Sequence, residues 1–401
     1  MSENLADRFE QLSQLLVDGV EFWQQVPFKT EQLDWQKNYR PLWQALQRVD
    51  DEQLQRFEDD PEQAESWLTA WLPVTALQQL SGIPATGQTA LSLPSTWGDH
   101  MPGRKWQQVC AFVSGVTIAS PAHLLEWCAG KGHLARTISR LHQVPVTALE
   151  WQASLCEEGE RLSRSQNTSV TAVAQDVLAD SVCQHLQADS HVLALHACGD
   201  LHRRLIALAT PEKMQRITLA PCCYHLTEQP VYQPLSRRGQ QICADLQLSI
   251  SREQLRLAVQ ETVTAPAYVR RQRRQASIWR LAFDLLRQTL QQDSQYLSMP
   301  SIPYGQLPAA FADFCLQQAE QLGCSIPDQT DFAHWLQQGE VRYRQVRLAE
   351  VVRHLYRRPL EVWLVLDRAL ALEEQGFSVA LSTFCARELT PRNILLSAHR
   401  P

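Results

Sequence analysis

Glu126, Gly130, Gly132 and Glu150 are residues whose types and spacing could do chemistry together. Glu126 closes an apolar run that begins at His123, and Cys128-Ala129-Gly130-Lys131-Gly132 follows as a tight turn into a helix. Glycine is scarce, 15 in 401 residues, so two within three positions is a local event. A methionine-derived sulfonium asks for this arrangement: a carboxylate near its cationic amino-acid end, and bare backbone where its body lies. Glu150 closes a second apolar run, where an acid accepts hydrogen bonds from ribose hydroxyls.

The elements that must position these groups can be read from periodicity. Leu134 to Leu141 is apolar at helical spacing between the two runs, which makes a strand–helix–strand unit. A third run, Ser169 to Ala174, leads to Asp176, where an acid would meet an adenine amino group. A fourth, His191 to His196, leads to Cys198-Gly199-Asp200, and a fifth, Arg216 to Ala220, leads to Pro221-Cys222-Cys223-Tyr224-His225. Phe377 to Phe384 and Asn393 to Ser397 read as two more strands, after a helix from Glu361 to Gln375 stopped by Gly376. The spacing therefore predicts an α/β protein with a seven-stranded Rossmann-like sheet and its site along one edge.

The turn Glu126-Trp127-Cys128-Ala129-Gly130-Lys131-Gly132-His133-Leu134 resembles motif I of class I S-adenosylmethionine-dependent methyltransferases, with Cys128 where many of them have glycine. Leu195-His196-Ala197-Cys198-Gly199-Asp200-Leu201 together with Cys222-Cys223-Tyr224-His225 is similar to the methyltransferase-like group with HxCGDL and CCYH signatures. It is more distantly similar to tRNA ribose 2′-O-methyltransferases. Met101 to Val109 resembles the helix before motif I in that group, with Arg104 where lysine is commoner, and Pro391-Arg392-Asn393 resembles its closing strand. The resemblance covers about 101–235 and 360–401. It implies S-adenosylmethionine as cofactor, held by Glu126, Cys128, Gly130, Gly132, Glu150, Asp176 and His196.

Methyl transfer needs an in-line acceptor, a water-poor pocket and a destination for any proton. His196, Asp200, Tyr224 and His225 stand after strands four and five as catalytic candidates. Asp200 or His225 would be the base for a hydroxyl acceptor, and the Tyr224 ring would stack a nucleobase. Two other readings of the cysteines stay open. Cys198, Cys222, Cys223, His196 and His225 could converge on zinc, or Cys222 after Pro221 could be a covalent nucleophile. Adjacent Cys222 and Cys223 diverge in an extended chain, so packing beside the cofactor, with no metal, is the default.

Charge divides the chain. Residues 1–71 hold 15 acids against six Lys and Arg, while 252–280 hold seven arginines and 342–358 six, without one lysine. Expected domains are an acidic helical one over 1–100, a methyltransferase core over 101–235, an arginine-rich helical insertion over 236–355 that helps roof the site, and the end of the core over 356–401. Guanidinium forks suit phosphates and bases, which points to an RNA partner, tRNA or rRNA. The plainer reading is a solvated face compensated by the acidic segment, which itself offers a protein a docking surface. A protein or small-molecule acceptor, or a scaffold that binds cofactor without catalysis, remains an alternative. A net charge of −6 argues against broad nonspecific nucleic-acid binding. Eleven cysteines without disulfide-like spacing, no leader-like start and no run near the ~20 apolar residues of a membrane span point to a cytoplasmic protein.

Overall fold

The computed structural model describes residues 4–87, 91–119, 123–260, 267–299, 302 and 305–401. The strands are β1 (His123–Trp127), β2 (Val146–Glu150), β3 (Val170–Ala174), β4 (Ser190–Cys198), β5 (Arg216–Cys222), β6 (Ser378–Thr383) and β7 (Ile394–His399). They form one sheet in the order β3-β2-β1-β4-β5-β7-β6. The first five pair in parallel, and β7 runs antiparallel between β5 and β6. All seven expected strands are present within a few residues of their expected ends. The order reverses between β1 and β4, and in open sheets of this kind ligands lie beyond the carboxyl ends of the strands at that switch.

Parallel neighbours need crossovers. The helices His133–His142 and Ala153–Ser165 connect β1 to β2 and β2 to β3, and Asp200–Ala207 connects β4 to β5. Leu134, Ala135 and Ile138 of the first helix are buried with Leu124, Val146, Ala148, Leu193 and Ala220 from the strands. Val109, Phe112 and Val113 of the helix Gly103–Ser114 join the same core. This is the ordinary hydrophobic reason for the fold: each helix buries one apolar stripe on the sheet.

Contacts divide the chain into two compact units, Met1–Asp18 with Thr75–Gln260 and Arg357–Pro401, and Gly19–Val74 with Glu261–Tyr356. That division differs from the expected boundaries at 100, 235 and 355. The expected acidic domain is cut twice. Its first helix, Leu5–Asp18, belongs with the sheet because Phe9 stacks on Trp363 at 5.1 Å and Ser13 Oγ accepts from Trp363 Nε1 at 2.8 Å.

Within the other unit, helices Ala267–Gln291, Phe311–Leu322 and Phe332–His354 share a core of Ile278, Trp279, Phe283, Leu286, Phe311 and Phe314. Leu348, Val351, Val352 and Leu355, at helical spacing, are buried. Most arginines of the 342–358 stretch are consumed inside the fold. Arg342 caps the carbonyls of Pro27 and Thr30, Arg344 pairs with Asp51, Arg347 with Glu58, and Arg353 donates to the Trp23 carbonyl. For these residues compensation by the acidic segment is what the chain does, and the expected phosphate-binding face is withdrawn. The 252–280 stretch is not one helix: Arg252 and Arg256 lie before it, 261–266 fall outside the described residues, and Arg270, Arg271, Arg273 and Arg274 are exposed on Ala267–Gln291. Among the described residues, no helix is long and apolar enough to cross a membrane.

Candidate active site at the carboxyl edge of the sheet

Three residues of the turn after β1 have left-handed backbone: Cys128 (φ 60°), Gly130 (φ 57°) and Gly132 (φ 66°). Such a turn doubles back sharply and presents backbone rather than side chains. A Cβ added at Gly130 would meet nothing within 4 Å, so the space above it is open to a ligand. Cys128 takes the conformation that explains glycine at this position elsewhere, at the strain an L-residue carries there.

The two acids hold this turn in different ways. Glu150 Oε2 accepts from Gly130 N at 2.9 Å and Oε1 from Gln152 N at 3.1 Å, so the end of β2 clasps the cradle. Glu126 Oε2 accepts from Ala135 N at 2.8 Å, in the first turn of the helix whose macrodipole favours a carboxylate. Burial pushes the Glu126 carboxyl up to about 7, against the Ala135 hydrogen bond and the charges of Arg136 and Lys105. A half-neutral buried acid at the strand end is one that an incoming ammonium would ionise. Asp176 is exposed after β3, its Oδ1 accepting from Leu178 N at 2.9 Å. Glu126, Cys128, Gly130, Gly132 and Glu150 are thus brought together, with Asp176 at the edge.

The other end of the site is built by a bulge. The β4–β5 register shifts between Leu195 and Cys198, where His196 has φ 65°. Bulges of this kind re-aim side chains beside functional clefts. His196 Nε2 meets Gln108 Oε1 at 2.9 Å, and burial, with the charge of Arg392, lowers its pKa to about 4. The ring is therefore neutral and held in place. Gly199 follows at φ 52°, and an added Cβ would stand 1.7 Å from the Leu226 carbonyl oxygen, so only glycine fits.

Asp200 and Tyr224 differ from their expected roles. Asp200 Oδ2 accepts from Glu228 N at 2.7 Å, which makes its carboxylate a clasp on the loop after β5. Tyr224 is 1% exposed, with the Arg368 guanidinium 4.9 Å from its ring centre, so no face is left to stack a nucleobase. His225 keeps a role open to it: its Nδ1 is buried without a hydrogen-bond partner, and burial lowers its pKa, leaving a neutral, proton-accepting ring.

The cysteines also depart from expectation. Cys223 has φ 46° rather than extended backbone, so its side chain does not diverge from that of Cys222. The sulfurs of Cys198, Cys222 and Cys223 all lie within 4.8 Å of one another, Cys198 and Cys222 at 3.3 Å. Hydrogen bonds from Cys198 and Cys222 hold the Cys223 thiol below its ordinary value, and the Arg392 charge acts the same way.

Sequence reasoning passed over several groups that build this edge. Gln108 fixes His196, and Lys105 supplies the charge near Glu126 while Arg104 beside it donates to the carbonyls of Leu389 and Glu388. Arg392, inside the Pro391-Arg392-Asn393 signal, has a buried Nε without a partner and acts electrostatically on His196 and Cys223. His202 is fully buried, joining the Ala197 carbonyl at 2.9 Å and accepting from Arg368 Nε at 2.8 Å.

Residues 104–230 match a family model described as a methyltransferase domain. No curated protein matches the chain. Similar solved structures include a geranyl diphosphate methyltransferase in complex with GPP and sinefungin, at 18% identity over 48% of this chain and 76% of that one, TM-score 0.26. A geranyl diphosphate C-methyltransferase from Streptomyces coelicolor A3(2), solved with S-adenosyl-L-homocysteine, is 19% identical over 44% and 70%, TM-score 0.25. A coclaurine N-methyltransferase is 14% identical over 54% and 62%, TM-score 0.25. The fold reading stands on the sheet order itself. The matched segment holds β1 to β5 and the glycine turn backed by two strand-end acids, β7 and β6 complete the sheet from beyond it, and residues 104–230 are thereby identified as a methyltransferase domain within this chain.

Proposed function

We propose that this chain transfers the methyl group of S-adenosylmethionine to RNA, tRNA or rRNA, at the carboxyl ends of β4 and β5. The observation that carries the donor half is the open cradle at Gly130, clasped by Glu150 and backed by Glu126. In this reading Glu126 faces the amino-acid end of the cofactor, Glu150 the ribose hydroxyls and Asp176 the adenine. The bound sulfonium supplies an electrophilic methyl; the residues of this chain orient it and exclude water. His196, neutral and fixed by Gln108, borders the cofactor, and His225 takes the proton from a hydroxyl acceptor.

The acceptor half has separate support. Arg270, Arg271, Arg273 and Arg274 are exposed within five positions of one helix, a concentration of forks suited to phosphates. Mass spectrometry of nucleosides from cells with and without the gene tests the whole reading. Loss of one methylated nucleoside is the expected result. An unchanged nucleoside profile, with S-adenosylmethionine still bound by the purified chain, would move the acceptor to a protein or small molecule.

A further inference from the structure

The end of β5 gathers sulfur in a way that packing does not require. The bulge at Leu195–Cys198 sets Cys198 opposite Cys222 in register, and the left-handed Cys223 brings a third thiol to the same place. We infer that Cys198, Cys222 and Cys223 form a three-thiolate site for one zinc ion, with its fourth position open to solvent or a small ligand.

The dimensions fit. Sulfurs about 2.3 Å from a tetrahedral ion stand about 3.8 Å from one another. Here Cys198 and Cys222 stand 3.3 Å apart and all three sulfurs lie within 4.8 Å, so side-chain adjustments of no more than about an ångström make the site.

Two features argue for an open fourth position rather than a closed structural site. Among the described residues, no histidine nitrogen or carboxylate oxygen joins the three sulfurs within the same distance. His225, two residues on, has its Nδ1 buried and unpartnered, so it is better placed to hydrogen-bond a zinc-bound water than to ligate. Three protein ligands and one exchangeable position is the pattern zinc adopts where it acts on a ligand rather than only holding a fold. The plain alternative, a thiol cluster that merely packs, gives no reason for two left-handed non-glycine residues, His196 and Cys223, beside it.

The test uses the full chain, reduced and freed of metal. Zinc chloride is titrated against a chromophoric chelator, cobalt chloride is followed by its sulfur-to-metal charge-transfer band, and proton release is read in weak buffer. One equivalent should bind tightly, with a thiolate–cobalt band and proton release on binding. Cys223→Ser should weaken zinc binding at least about tenfold and diminish the cobalt band, while Cys324→Ser should change neither. If Cys223→Ser fails to fold by circular dichroism, Cys198→Ser takes its place, and the stoichiometry of the unaltered chain decides independently. Absence of binding by the unaltered chain at tenfold excess of zinc would overturn the inference. So would unchanged affinity in the Cys198→Ser/Cys223→Ser double variant, or a Cys198–Cys222 disulfide that forms in its stead.

Discussion

Gly130 and Gly199 both have positive φ and differ in what surrounds them, so replacing them separates cofactor space from fold space. At Gly199 an added methyl meets the Leu226 carbonyl at 1.7 Å, and backbone must move. Gly199→Ala should lower unfolding free energy by more than the ~1–3 kcal/mol of backbone strain alone, read by urea denaturation. At Gly130 the same methyl meets nothing, so Gly130→Ala should cost only the ~1 kcal/mol of a left-handed L-residue. Its effect should instead appear in calorimetry as a loss of S-adenosylmethionine affinity. Equal affinity in the two proteins would remove the cofactor from this turn. Glu126 makes a second residue-scale prediction. Its carboxyl is pushed up to about 7 by burial, so it binds its proton more tightly in the folded chain than in the unfolded one. Stability from this group is full below about pH 4.5 and is lost as pH rises through about 7, in all about 3 kcal/mol. Glu126→Gln should flatten that part of the stability–pH curve; a curve of unchanged slope between pH 5 and 8 would show that another group carries it.

Strands and crossover helices were legible because burial imposes a period, and every run from His123 to Ser397 that ended in chemistry became a strand of the sheet. What could not be read was where the chain leaves the allowed regions. Nothing in the type of His196 or Cys223 announces φ values of 65° and 46°, yet these two residues bend the strand ends that bring three thiols together. Tyr224 departs from expectation for a related reason: its motif position suggests a substrate contact, but its burial beneath Arg368 is set by a helix more than 130 residues away. Tyr224→Ala should consequently act as a core truncation of about 3–5 kcal/mol, with Tyr224→Phe nearly silent in thermal melting. The arginines of Phe332–His354 teach the same lesson, since charge in sequence does not reveal what it faces. Arg347 places two nitrogens at 2.7 Å from the Glu58 carboxylate in a half-shielded pair. Removing it as Arg347→Ala should cost about 1.5–3 kcal/mol, the range for hydrogen bonds to charged groups. A loss below ~0.5 kcal/mol would return that arginine to the solvated class.

At the scale of the whole chain, composition suggested four consecutive domains, whereas contacts assemble two units from five segments. Helix Leu5–Asp18 pairs with Arg357–Glu373 across some 350 positions through Phe9, Ser13 and Trp363, a contact no local pattern encodes. Net charge is −6, so long-range attraction to a polyanion is weak and any RNA binding must be local. With much of the 342–358 cluster occupied by acids and carbonyls within its own unit, the burden falls on Arg270, Arg271, Arg273 and Arg274. Each phosphate contact on a single strand contributes about 0.7 to the slope of log affinity against log salt. Reversing all four arginines to glutamate should therefore reduce that slope by about 3 if every one meets a phosphate, and by less in proportion if Arg270 stays with Asp59, 3.4 Å away. Filter binding of transcribed tRNA across a salt series measures it, with melting temperature as the control for fold. A slope that survives the fourfold reversal would mean that this helix does not meet the backbone, and the choice of acceptor would then have to be sought in the chemistry of His225 and the thiols at the sheet edge.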